Sequence, residues 1–64
     1  MIVNGKEIAL SEEISLKKYL EKSGYDLTRI AVEKNGTIIQ RQLFETENLC
    51  DSDKIEIVSF VGGG

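Results

Sequence analysis

Two Asn-Gly pairs, Asn4-Gly5 and Asn35-Gly36, each stand between short apolar runs, and they constrain this chain more than any other feature. Both central positions of the tightest β-hairpin loop need positive φ, which Asn tolerates and Gly adopts freely. Met1-Ile2-Val3 precedes the first pair and Glu7-Ile8-Ala9-Leu10 follows it, with Ile8 and Leu10 on one face. Ile30 to Lys34 precedes the second pair and Thr37 to Ile39 follows it. The sequence therefore predicts two hairpins, one near the start and one past the middle.

Between them the spacing predicts one helix. Ser11-Glu12-Glu13 is a polar link, and Ser15 is a good N-cap for a helix over Leu16 to Lys22. Ile14 and Tyr19 occupy the positions of a hydrophobic staple. Leu16, Tyr19 and Leu20 form a narrow apolar stripe, with Lys17, Lys18, Glu21 and Lys22 on the solvated side. Gly24 ends the helix. A helix this short is not stable alone and must pack on a sheet. Leu27 anchors the connection that follows. Arg41 to Asn48 reads as an irregular segment with one turn of 3₁₀ helix, Leu49 as a core plug, and Asp51-Ser52-Asp53 as a turn. Lys54 to Phe60 is the last strand. The crossover is long enough for that strand to lie beside the first and parallel to it. The expected architecture is α+β: a β-grasp, or ubiquitin-like, mixed sheet of four to five strands with one helix on one face. The domain is expected over residues 1–61, with residues 62–64 as a flexible glycine tail.

Composition removes several function classes. The chain has 64 residues, enough for one domain with a small core. It has no histidine and one cysteine, Cys50, so it holds neither the usual zinc ligand set nor a Cys–His nucleophile pair. No pair of carboxylates is marked out by an apolar setting for acid–base work. A lone thiol in an unstapled small domain fits a reducing, cytoplasmic setting. There is no long apolar run and no basic, apolar leader, so neither a membrane span nor a signal peptide is expected. The net charge is −3 with acidic residues spread along the chain. That disfavours nucleic acid and anionic membrane as partners and suits docking onto a basic protein surface.

The remaining signals lie at the end. Gly62-Gly63-Gly64 follows the last strand and has no side chain to pack. Such a tail suits a narrow slot in another protein, or a terminal carboxylate that itself reacts. Period-two alternation sets Val58 and Phe60 opposite Ile55 and Ile57, hence away from the helix, and Ile2 faces the same way. With Val61 and Gly62 these residues make a candidate partner-binding patch beside the tail. Cys50 reads as a small buried or half-buried residue next to a turn, since there is no histidine and no cation beyond Lys54 is marked out to activate it.

Val3-Asn4-Gly5, Ala31-Val32-Glu33-Lys34-Asn35-Gly36 and Asp53-Lys54-Ile55-Glu56-Ile57-Val58, leading into a terminal Gly-Gly, resemble the small sulfur carriers of thiamine biosynthesis. The resemblance spans nearly the whole chain. It departs from the family pattern at Ser52-Asp53, where a glycine usually precedes the aspartate. It departs again at Gln40-Arg41, where many members have a proline, and in the third glycine, Gly62. The resemblance implies that an adenylating enzyme with ATP and Mg²⁺ activates the Gly64 carboxylate, with Gly63 as the thin neck of the tail. A sulfur donor protein then leaves a thiocarboxylate, whose sulfur passes to a thiazole synthase. The chain itself would bind no cofactor and would be a carrier rather than an enzyme. Two alternatives share the layout: the small subunit of molybdopterin synthase, which tends to be longer, and a ubiquitin-like protein modifier.

Overall fold

The computed structural model describes residues 1–60. The expected domain boundary at Val61 and the glycine tail lie outside the described residues. Both hairpins form. The first joins β1 (Ile2–Val3) to β2 (Lys6–Glu7), and the second joins β4 (Ile30–Lys34) to β5 (Thr37–Ile39). Asn4 and Gly5 have φ of 50° and 83°, and Asn35 and Gly36 have φ of 52° and 86°. These are the positive values that the loop demands. The returning strand of the first hairpin is shorter than expected and ends at Glu7. Ile8 and Leu10 still turn together onto the core.

The helix α1 spans Leu16–Lys22, as the spacing predicts. Its N-terminus is built by a part of the chain that the sequence leaves irregular. Ser15 Oγ accepts from Lys18 N–H at 3.2 Å. Leu16 N–H donates to Glu47 O at 2.7 Å and Lys17 N–H to Phe44 O at 2.8 Å. Three N–H groups that a helix cannot satisfy by itself are thus paired. The same segment forms a two-stranded ribbon of β3 (Ile14–Ser15) with β6 (Asn48–Leu49), Ile14 opposite Leu49. This ribbon leaves no mark in the sequence, because two-residue strands carry no periodicity. The helix closes at Gly24, φ 84°, with Gly24 N–H on Glu21 O and Tyr25 N–H on Leu20 O. That double bond is the Schellman motif.

The last strand, β7 (Lys54–Ser59), lies at the centre of a five-stranded sheet in the order β2-β1-β7-β4-β5. It runs parallel to β1 and antiparallel to β4, so the β-grasp closure forms as expected. One face of the sheet buries Val3, Ile30, Val32, Ile55 and Ile57 against Leu16 and Leu20 of α1. Leu49 is fully buried and Phe44 nearly so, while Leu43 stays exposed. The other face has no covering layer among the described residues. No helix among the described residues is long and apolar enough to cross a membrane.

Candidate functional site

The site begins with how β7 is held, because this strand leads to the glycines. Each Asn-Gly loop clasps it with an asparagine side chain. β1 turns away after Val3, and Asn4 takes over its pairing with β7. Asn4 Oδ1 accepts from Ile57 N–H at 2.7 Å, and Asn4 Nδ2 donates to Ile57 O at 3.2 Å. At the strand's start, Asn35 Oδ1 accepts from Lys54 N–H at 2.9 Å, and Asn35 Nδ2 donates to Asp53 Oδ1 at 3.0 Å. Hairpin chemistry accounts for an Asn at both positions. The clasps depend on the fold and leave no local signal in the sequence.

Asp53 is the one buried charged residue among those described, 6% exposed. Burial pushes its carboxyl upward. The Cys50 N–H at 2.8 Å, the Asn35 amide and the nearby Lys34 ammonium outweigh that and hold it below the ordinary carboxylate value. Lys34 Nζ donates to Glu47 Oε2 at 2.9 Å and to Asn48 O at 2.8 Å, and lies 3.8 Å from Asp53 Oδ2. The Glu47 bond raises the Lys34 pKa against the opposing effect of burial. This network ties the 47–53 segment to the root of β7.

At its far end β7 extends by one more bond, Phe60 N–H to Arg29 O at 2.7 Å. Val58 is 57% exposed and Phe60 50%, both on the uncovered side. Ile2 is also exposed, but it pairs with Lys54, four residues before Val58. At about 3.3 Å per residue that is roughly 13 Å away. Ile2 therefore stands at the opposite end of the face from Val58 and Phe60, with Glu56 between them. The expected positions Val61, Gly62, Gly63 and Gly64 lie outside the described residues.

Register reveals what alternation alone did not. Glu33 on β4 is directly opposite Glu56 on β7, and Ile38 on β5 is directly opposite Glu33. Ile38 is 69% exposed. Ala31 lies opposite Val58. The outer face near the chain's exit is thus a pair of facing carboxylates flanked by apolar side chains. Cys50, expected buried or half-buried, is exposed instead, with its Sγ 3.3 Å from Ser52 Oγ. It does sit beside the turn. Its neighbour Leu49 fills the core, and the alternation of the short strand sends Cys50 outward.

Comparison with known proteins agrees with this geometry. A sequence model of the ThiS family matches residues 1–64. The sulfur carrier protein ThiS of Bacillus subtilis is 39% identical over 64 residues, covering 97% of this chain and 96% of that one. A thiazole synthase of Paramagnetospirillum magneticum is 34% identical over 64 residues, and the chain spans 20% of its length. The crystal structure of the thiamine biosynthesis protein (ThiS) from Geobacter metallireducens superposes with a TM-score of 0.83. The match has 29% identity and covers 98% of this chain and 96% of that one. The chain belongs to the ThiS family.

Proposed function

We propose that the chain carries sulfur as a thiocarboxylate on Gly64 and delivers it for thiazole formation in thiamine biosynthesis. The observation that carries this reading is the exit of the chain. The central strand, pinned by Asn35 at its start and Asn4 near its end, delivers the backbone at Phe60 beside exposed Val58, with only Val61 between it and Gly62-Gly63-Gly64 in the sequence.

A carboxylate resists nucleophiles until it has a good leaving group. In the first step a Gly64 carboxylate oxygen attacks the α-phosphorus of ATP, and pyrophosphate leaves. In the second, hydrosulfide released by a sulfur donor attacks the acyl carbon, AMP leaves with one of the former carboxylate oxygens, and a thiocarboxylate remains. Mg²⁺ and ATP belong to the adenylating enzyme, which supplies the charge stabilisation that phosphoryl chemistry needs. The chain contributes the reacting group and its reach. Four residues beyond Phe60 span at most about 14 Å when extended. Phe60 and Val58 must then sit at the mouth of any channel that the tail enters, and Gly63 and Gly64 keep the thread thin.

A thiazole synthase as acceptor is supported by relatives of that name that contain a stretch similar to this whole chain within one polypeptide. That favours thiazole formation over molybdopterin assembly. The test is intact mass after incubation with the adenylating enzyme, MgATP and a sulfur donor. A gain equal to the difference between sulfur and oxygen is expected, with none in a Gly64-deleted chain. An unchanged mass for the full chain, or equal conversion of the truncated one, would overturn the reading.

A further inference from the structure

We propose that Arg41 is a positioning residue for the reacting end of the chain. Its guanidinium braces the Leu27–Arg29 turn, whose last carbonyl carries the single bond that holds Phe60. The brace rests on this structure, and its consequence for adenylation rests on the carrier reading.

The bond at Phe60 is weaker than the ladder behind it. In an antiparallel ladder a hydrogen-bonded pair exchanges two bonds. The β4–β7 register, continued one step past Ile30 and Ser59, sets Arg29 opposite Phe60. Phe60 N–H donates to Arg29 O at 2.7 Å, but Arg29 N–H turns back to Asp26 O at 3.0 Å. The 3₁₀ turn of Leu27–Arg29 thus diverts one bond of the pair, and one remains. On the other edge of β7, the Asn4 clasp reaches no further than Ile57. The place of Phe60 is therefore set by the Arg29 carbonyl, and that carbonyl by its turn.

Three contacts hold the turn among the described residues. Leu27 packs half-buried against the core. Asp26 Oδ1 accepts from Thr28 N–H at 3.0 Å and from its hydroxyl at 2.7 Å, which closes the turn on itself and ties it to nothing else. Arg41 supplies the tie from outside. Its Nε donates to Leu27 O at 2.9 Å and its terminal Nη2 to Thr28 O at 3.3 Å. These are the two carbonyls directly before that of Arg29, and the last carbonyls of a short helix have no partner within it. Arg41 is itself anchored, because buried Phe44 donates its N–H to Arg41 O at 3.1 Å. None of the described ion pairs involves Arg41, so these two bonds are what fixes its head group. A planar fork that reaches two adjacent carbonyls is a property of Arg that Lys does not share.

If the turn loosens, Phe60 comes away and the held body ends at Ser59. The adenylating enzyme must then order one more residue as it binds the carrier, a cost that falls on KM and leaves kcat unchanged.

The experiment is amide hydrogen exchange by NMR on the full chain, joined to ATP–pyrophosphate exchange with the purified adenylating enzyme for KM and kcat. In Arg41→Gln the Phe60 amide should exchange about fivefold faster, while the Ile57 amide, held by Asn4, stays within about twofold of the parent. Arg41→Lys, able to reach one carbonyl, should fall between the two. Arg29→Gln removes an equal charge close by but keeps the backbone carbonyl, so it should leave the Phe60 amide unchanged. KM should rise about threefold in Arg41→Gln at constant kcat. Phe60 exchange within about twofold of the parent in Arg41→Gln overturns the proposal. So does equal acceleration at Phe60 and Ile57, which is general loosening, or equal acceleration in Arg29→Gln, which is an effect of charge. A fall in kcat at unchanged KM overturns the positioning role. If the parent chain is never adenylated, the carrier reading fails, and the exchange rates still decide the brace.

Discussion

Replacing Asn4 with glycine separates the two things that this residue does. Glycine accepts φ near 50° more readily than asparagine, so the hairpin loop survives. The clasp on β7 does not survive. Two side-chain hydrogen bonds go, at 2.7 Å from Ile57 N–H and 3.2 Å to Ile57 O. Each is worth about 0.5–1.5 kcal/mol net, so Asn4→Gly is expected to cost about 1–3 kcal/mol. A domain of this size has only about 3–5 kcal/mol in all. At about 4–8 °C per kcal/mol, the melting point should fall by at least about 4 °C and by as much as about 24 °C. Asn4→Ala loses the same bonds and adds about 1–2 kcal/mol for a left-handed L-residue, so it should be the worse variant. Urea and thermal unfolding followed by circular dichroism give the magnitudes, and amide exchange at Ile57 gives the location. If Asn4→Gly stays within about 0.3 kcal/mol of the parent and the Ile57 amide keeps its protection, the clasp is not a stabilising element and the reasoning is wrong.

Three further outcomes follow from the same structure. Asp53 has a lowered pKa when folded, so its contribution is complete above the unfolded carboxylate value of about 4 and fades as pH drops through the folded value. Asp53→Asn should destabilise at pH 7 and converge on the parent in acid; a gap that stays constant from neutral to about pH 2 in urea titrations contradicts this. Leu49 is fully buried between the β3–β6 ribbon and the sheet core, and Leu49→Ala should cost about 2–5 kcal/mol. That is enough to leave the chain largely unfolded at 37 °C by near-ultraviolet dichroism, and a cooperative melt near the parent's would refute it. Phe60 is half-exposed, so Phe60→Ser should keep the fold but weaken binding of the adenylating enzyme by about fivefold or more. Unchanged affinity in a calorimetric titration would remove Phe60 from the interface.

How much of this was legible in the sequence depends on how local each signal is. The two Asn-Gly loops, the Ser15 cap, the Gly24 stop and the β4 and β5 runs are local, and they appear where the residues put them. Outward-facing Val58 and Phe60 follow from alternation once Ile55 and Ile57 are assigned to the core. What was not legible depends on pairs distant in sequence. The β3–β6 ribbon joins Ile14 to Leu49, and the helix N-terminus borrows carbonyls from Phe44 and Glu47. The Asn4 clasp joins residues 53 apart. The separation of Ile2 from Val58, and the meeting of Glu33 with Glu56, needed the register of β7 against both neighbours. Alternation assigns a face but not a row.

That register also decides which part of the molecule supplies precision to the chemistry. β1 has turned away at Asn4 and β4 begins at Ile30, so the bond from Phe60 to Arg29 is the last in the ladder among the described residues. On the proposed carrier reading, the enzyme that receives the Gly64 carboxylate is what aligns it for reaction. The two kinds of change should then separate in kinetics. If exposed Val58 and Phe60 belong to the proposed partner-binding patch, substitutions there should act on KM of adenylation. Substitutions at Gly63 alter the alignment of the reacting atom once bound and should act on kcat, because misplacement by about 1 Å is enough to cost about a hundredfold. If face variants lowered kcat at saturating carrier as strongly as a Gly63→Ala change, the sheet would have to be part of the catalytic alignment, and the division between a gripped body and a reacting end would not hold.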